Sequence, residues 1–273
     1  MSTEARNPRS IGLDKMEATE IVRLMNEEEQ TVMRCMAKAE RSIAEAGEHA
    51  ARAFQTGGRI VYVGAGTSGR IATMDAAEMP PTFGIDPSHF VAIVAGGESA
   101  GSTANETAED DEHAAIEALN QLGIGPKDVV IGLAASGRTP FVIAAIRHAS
   151  QKGVWTCAIA NNKHAPVFEH AEHAILLDTG PEVLTGSTRL KAGTAQKLAL
   201  NRISTIAMVL SGKVVENLMV DVKAKNAKLK ERCIRIVRDL STATEDEAGR
   251  LLEENNWSIR AVLSALRSSA QTG

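Results

Sequence analysis

Between residues 59 and 83 the chain reads RIVYVGAGTSGRIATMDAAEMPPTF, and no other stretch constrains the fold as tightly. An apolar run at 60–63 has the length and composition of a strand buried in a parallel sheet. Gly64, Gly66 and Gly69 then surround Thr67 and Ser68, and an Ala/Met/Ile-rich helical stretch follows. A strand that breaks into a glycine-rich turn and restarts as a helix aims free backbone N–H groups at one place, which attracts a phosphate. Pro80-Pro81 reads as the stop of this helix, with Asp75 and Glu78 shortly before it.

The same unit recurs downstream. Apolar runs at 90–94, 129–134, 155–160 and 174–177 read as four further strands, with helical stretches at 105–122 and 141–151 between them. Alternating strand and helix, with continuous apolar runs in place of strict alternation, predicts an α/β fold with a five-stranded parallel sheet covered on both faces. Residues 1–16 are polar and predict an extended arm, and 19–54 predict one or two long helices ending at Gly57-Gly58. A long loop at 180–194 leads to a helix that stops near Gly212. Another helix over about 220–237, and short ones starting at Thr244 and Ser258, predict a small C-terminal helical bundle. The expected domains are 1–222, an α/β domain with N-terminal helices, and 223–273, helical.

Several classes drop out on composition. A net charge of −4 leaves no footprint for nucleic acid. Cys35, Cys157 and Cys233 are too widely spaced for a disulfide framework or a zinc pattern. The N-terminus lacks the apolar core of a signal peptide and no run is long enough for a membrane span, so the expected location is the cytoplasm. His164, His170 and His173, with Glu169 and Glu172, fall in one loop with nothing to fix a metal geometry; they read as solvated side chains, and no metal is expected.

Gly64-x-Gly66-x-x-Gly69 also matches the dinucleotide fingerprint. That fingerprint requires a second apolar strand ending in an acidic residue about 20 positions on. Residues 79–84 occupy that place and contain two prolines, which a central strand excludes. A compact phosphate suits the hydroxyls of Thr67 and Ser68 better. Ser136-Gly137-Arg138-Thr139 forms a second such turn before Pro140, and two turns of this kind can converge at the carboxyl ends of a parallel sheet. Helix capping by Ser and Thr is the competing explanation of each turn. The 180–194 loop adds Ser187, Thr188 and the cation of Lys191, placed to close over an anionic ligand. Among the carboxylates, Glu78 is expected at a helix C-terminus, where the negative pole disfavours a charge, and Glu109 near a helix N-terminus opened by a Thr103-x-x-Glu106 capping box. Two carboxyls in opposed environments can form an acid/base pair, and ordinary helix-end electrostatics is the competing explanation of Glu109.

The stretches GAGTSGR, DAAEMPPTFG, AEDD, AASGRTP and TGPEVLTGSTRLKAGTAQK, in that order, resemble the N-acetylmuramic acid 6-phosphate etherase family. The resemblance runs from Thr3-Glu4 to about residue 229. It implies a sheet domain of the sugar-isomerase type, C-terminal helices like a ubiquitin-associated bundle, and a homodimer. It implies a cytoplasmic lyase of cell-wall sugar recycling that needs no cofactor. Its substrate would be a phosphorylated amino sugar from which D-lactate is released. By motif, Glu78 of DAAE is the acid that protonates the leaving oxygen and Glu109 of AEDD the base for the C2 proton. Gly66, Thr67, Ser68, Ser136, Gly137, Arg138, Thr139, Ser187, Thr188 and Lys191 would hold the substrate. Where this chain has Thr107, many relatives have glycine. The alternatives are a non-catalytic phosphosugar sensor of the same fold, such as the glucokinase regulatory protein, and a phosphosugar isomerase.

Overall fold

A computed structural model of the chain describes residues 2–97, 106–224 and 226–271. The chain divides into two compact units, Met1–Ala76 with Ser88–Ala207, and Ala77–Pro87 with Met208–Gly273. The second unit joins residues 77–87 to the C-terminal part of the chain.

In the first unit, helices α1 (Ala18–Lys38) and α2 (Glu40–Gln55) precede the sheet. A reciprocal capping box between Glu17 and Glu20 starts α1. Val32, Cys35 and Met36, and then Ile43, Ala46, Gly47 and Ala50, form the buried stripe of the pair, spaced at three and four residues as an amphipathic helix demands. The sheet and its helices follow as β1 (Ile60–Gly64), α3 (Gly66–Phe83), β2 (Phe90–Val94), α4 (Glu112–Leu122), β3 (Val129–Leu133), α5 (Pro140–Gln151), β4 (Trp155–Ala160), β5 (His173–Leu176) and α6 (Lys191–Leu210). Among the described residues these strands form one sheet in the order β2-β1-β3-β4-β5, with every pairing parallel. β1 and β3 are buried along their whole length, which explains their unbroken apolar sequence. All five expected strands are present.

This strand order has a consequence for function. The chain goes from β1 outward to β2, then returns past β1 to β3 and continues the other way. The order thus reverses between β1 and β3, and the crevice at their carboxyl ends is the place where such sheets bind ligands. Val61, Val63, Val130, Phe141, Val142 and Ile146 belong to the apolar core beneath it.

Three local expectations need correction. Pro80-Pro81 does not stop α3, which continues to Phe83. Both prolines lie in the last turn, where two i→i−4 donors are lost, and the Gly84 N–H donates to the Pro80 carbonyl at 3.0 Å to close the end. The helix expected over 105–122 is a 3₁₀ turn, Glu106–Asp110, followed by α4, which Asp111 caps by accepting the Ala114 N–H at 2.9 Å. Thr103 of the expected capping box lies outside the described residues. The N-terminal arm, polar and expected to be extended, forms 3₁₀ turns at Pro8–Ser10 and Leu13–Lys15 and buries Thr3 and Asn7.

The second unit contains a short hairpin, β6 (Val214–Val215) with β7 (Leu218–Met219), and helices α7 (Ala227–Asp239), α8 (Glu245–Glu254) and α9 (Ile259–Gln271). Asn226 and Thr244 cap α7 and α8 through their side chains. Cys233, Ile236, Val237, Leu252, Ile259 and Val262 are among the apolar side chains buried at its centre.

Candidate active site

The two glycine-rich turns meet above the sheet through a line of amides. Ser68, in the first turn of α3, donates to Gln196 of α6 at 2.8 Å. Gln196 donates to Asn161 at 3.2 Å, and Asn161 directly follows β4. The next residue, Asn162, donates to the carbonyls of Ala135 and Ser136 at 3.0 and 3.3 Å, fixing the β3–α5 turn. Gln196, Asn161 and Asn162 are all buried. Asn161, Asn162 and Gln196 are not among the site residues expected from sequence; a pair of amides directly after a buried strand was the available signal.

At the first turn Gly66 opens α3 with φ +52°, and Glu109 Oε1 lies 3.1 Å from the position a Cβ on Gly66 would take. A carboxylate is therefore set against the start of a helix, where the partial positive charge favours an anion. Glu109 comes from the 3₁₀ turn before α4 and is half-buried. Thr67 faces α6: its Cγ2 lies 3.4 Å from where a Cβ on Gly193 would sit. The hydroxyl of Ser68 is already used to hold α6.

The second turn is arranged differently. Thr139 occupies the N-cap of α5 but makes no side-chain capping bond. Ser136 Oγ accepts the Arg138 N–H at 3.1 Å, which leaves its own hydrogen to donate. Helix capping thus does not account for either hydroxyl. Gly137 has φ +72° and packs where any Cβ would lie 2.2 Å from that of Ala165. Arg138 is exposed and lines a cleft of about 330 Å³ with Ser2, Asn162, Lys163, His164 and Asp178.

In the third loop Ser187 and Thr188 are half-buried, and the Thr188 carbonyl accepts the Gly193 N–H at 2.9 Å. Lys191 is buried, and its ammonium sits 2.5 Å from Glu28 of α1. Burial works to raise Glu28, but Lys191, Asn7 and Arg9 outweigh it and hold the carboxyl below its ordinary range. Glu182, fully buried, accepts the N–H groups of Lys191 and Ala192 at 3.1 and 2.9 Å. An internal carboxylate thus fills the N-terminus of α6, and burial pushes Glu182 upward despite those two bonds.

Glu78 differs from its expected setting. It lies within α3, more than a turn from the helix end at Phe83, and it is exposed. The helix-end argument therefore does not apply to it. Asp75, one turn earlier, is buried and accepts from Tyr62 (2.9 Å), Asn201 (2.7 Å) and Ser204 (3.2 Å). Of the histidines, His173 bonds the Ser42 carbonyl at 2.8 Å and lies near Trp155, while His164 lines the Arg138 cleft. Among the described residues no group of three or more His, Cys, Asp or Glu side chains could hold a metal.

A parallel sheet of this order, with hydroxyl-bearing turns converging at its carboxyl ends, defines a sugar-isomerase-type domain. Residues 112–204 match the SIS domain model, and residues 42–150 match that of the glucokinase regulatory protein N-terminal SIS domain. A phosphoheptose isomerase from Francisella tularensis shares the fold, with a TM-score of 0.55 at 16% identity over 70% of this chain and 98% of that one. Much nearer in sequence are N-acetylmuramic acid 6-phosphate etherases. That of Geobacillus thermodenitrificans is 49% identical over 96% of this chain and 89% of its own, and that of Lactobacillus acidophilus is 47% identical over 94% and 87%. The chain belongs to the N-acetylmuramic acid 6-phosphate etherase family and is a carbon–oxygen lyase.

Proposed function

We propose that this chain cleaves the D-lactyl ether of N-acetylmuramic acid 6-phosphate, giving N-acetylglucosamine 6-phosphate and D-lactate. The observation that carries the reading is the Glu109 carboxylate set against Gly66 at the first turn of α3. In the open-chain sugar the C1 aldehyde acidifies the C2 hydrogen, and Glu109 takes that proton. The electron pair forms a C2–C3 double bond as the C3–O bond breaks. Glu78 protonates the departing lactate oxygen. Water then adds at C3, its hydroxyl going to carbon and a proton returning to C2, so that ether plus water gives alcohol plus lactate. Each proton transfer supplies about 10²–10⁴-fold.

The two turns divide the substrate between them. The β3–α5 turn offers Ser136, Thr139, Arg138 and the N-terminus of α5 to the 6-phosphate. The β1–α3 turn, with Gly66, Thr67 and the backbone at Ser68, holds the reacting end beside Glu109. Ser187 and Thr188 close over the sugar, whereas Lys191 acts from behind by fixing the loop through Glu28.

The exposure of Glu78 supports a homodimer. Met74 is 45% exposed and lies four residues earlier, on the same face of α3. A second copy covering this face would remove the apolar side chain from water and desolvate Glu78 together. The protein acts in the cytoplasm on phosphosugar; among the described residues no helix is long and apolar enough to cross a membrane.

Incubation with N-acetylmuramic acid 6-phosphate should release D-lactate in step with N-acetylglucosamine 6-phosphate. Binding without lactate release would instead identify a sensor, and isomerised phosphosugar an isomerase.

A further inference from the structure

Residues 2–9 take no part in the chemistry above, yet they carry some of the most buried polar side chains of the chain: Thr3 is 0% and Asn7 4% exposed. Polar groups are buried this deeply only when they are bonded, and the partners here follow a pattern. At one end, Ser2 Oγ and the Thr3 N–H donate to Asn162 Oδ1 at 3.0 and 3.3 Å, and Asn162 Nδ2 donates to Thr3 Oγ1 at 3.0 Å. That same Asn162 amide holds the Ala135 and Ser136 carbonyls of the β3–α5 turn. At the other end, Asn7 Nδ2 donates to Glu28 Oε2 at 2.8 Å and to the Pro181 carbonyl at 3.2 Å. Glu28 also receives Arg9 at 2.9 Å and Lys191, the first residue of α6. Glu4 reaches the loop between these anchors, its Oε2 3.4 Å from where a Cβ on Gly186 would lie.

We infer that residues 2–9 form a strap that sets the spacing between the β3–α5 turn and the 181–191 loop, and that Asn7 and Asn162 are positioning residues for phosphosugar binding. The inference rests on the proposal that these two loops hold the phosphosugar. A loop that must be ordered when ligand arrives spends binding free energy on its own ordering; a loop already tied does not. Hydrogen bonds suit the task because they fix direction as well as distance. The strap touches neither Glu109 nor Glu78, so its loss should appear in binding and not in the chemical step.

The test uses the full-length chain with Asn7→Ala. The KM for N-acetylmuramic acid 6-phosphate should rise about 10-fold and the affinity for N-acetylglucosamine 6-phosphate fall by the same factor, with kcat within about 2-fold of wild type. A purely structural role would lower Tm and leave KM unchanged, and that result in a folded variant overturns the strap. A lower kcat at unchanged KM overturns it as well. Asn162→Ala should show the same split. Should that variant fail to fold, Asn7→Ala, whose side chain lies outside the sheet, still decides. If the wild type releases no lactate, the catalytic proposal fails separately; titration with N-acetylglucosamine 6-phosphate then tests the strap alone, and equal affinities in wild type and Asn7→Ala reject it.

Discussion

The β1–α3 and β3–α5 turns look alike in sequence, each a strand, a glycine, hydroxyl residues and a helix. The folded chain uses them in opposite ways. In the first turn the chain supplies its own anion, Glu109 beside Gly66, and spends the Ser68 hydroxyl on Gln196. In the second, Thr139 stands at the head of α5 without capping it, and Ser136 retains a hydrogen to donate. Even the glycines differ in purpose. Gly66 leaves room for a carboxylate, whereas Gly137 leaves room for Ala165 in the packed interior. In the proposed reading, two copies of one local motif serve as a catalytic corner and a binding corner, depending on what the rest of the fold brings to each.

The largest effect expected bears on the catalytic corner. Glu78→Gln should lower lactate release by about 10²–10⁴-fold. It should retain exchange of the C2 hydrogen of N-acetylglucosamine 6-phosphate in deuterated buffer, because that exchange does not need the ether to break. Loss of both activities together would deny Glu78 a separate step. The paired glycines give the next contrast. Gly66→Ala places a methyl 3.1 Å from Glu109 Oε1 at φ +52°, and should cut kcat by at least about 10-fold at a stability cost of about 1–2 kcal/mol. Gly137→Ala forces a Cβ to 2.2 Å from Ala165 and should act first on Tm, with the left-handed backbone adding about 1–2 kcal/mol to an overpacking cost of about 1–3 kcal/mol. If both variants lowered Tm alike with kcat intact, the contrast between the turns would be lost.

Smaller effects follow. Ser136→Ala and Thr139→Ala should each weaken N-acetylglucosamine 6-phosphate about 10-fold, the loss of one hydrogen bond to a charged group, measurable by titration calorimetry. Unchanged affinity would remove that hydroxyl from the site. The least effect concerns what lies behind each helix. The buried face of α5 is apolar, whereas α3 carries Asp75 on its buried side, whose carboxyl burial pushes up against the bonds from Asn201, Tyr62 and Ser204. A raised folded value means that ionisation costs the folded state. Stability should therefore decline as pH rises from about 4, the ordinary aspartate value, through the raised one. In Asp75→Asn this part of the pH dependence of Tm should vanish; an unaltered pH profile would show that Asp75 is no burden.

Much of the fold was legible because it is written locally. Apolar runs marked all five strands, and Thr244 marked the cap of α8 by its residue type. Pro80-Pro81 misled because two prolines this close to a helix end remove two backbone donors and yet leave the final turn helical. The start of α4 was misplaced because Thr103-x-x-Glu106 has the pattern of a capping box, whereas the folded chain caps α4 with Asp111. The site was legible as a set of turns but not as a division of labour. Ser68 meets Gln196 across 128 residues, Lys191 meets Glu28 across 163, and Asn162 meets Thr3 across 159. No local pattern encodes partners at that separation, so hydroxyls and cations that looked equivalent in sequence have different tasks in the structure.

The central claim, that Glu109 at the first turn is the base, is tested most directly by proton exchange at C2. Glu109→Gln should be incubated with N-acetylglucosamine 6-phosphate in deuterated buffer and the C2 signal followed by NMR. Wild type should lose that signal as deuterium enters, and the variant should keep it while binding the phosphosugar with wild-type affinity. Deuterium entering C2 in the variant at the wild-type rate would contradict the account.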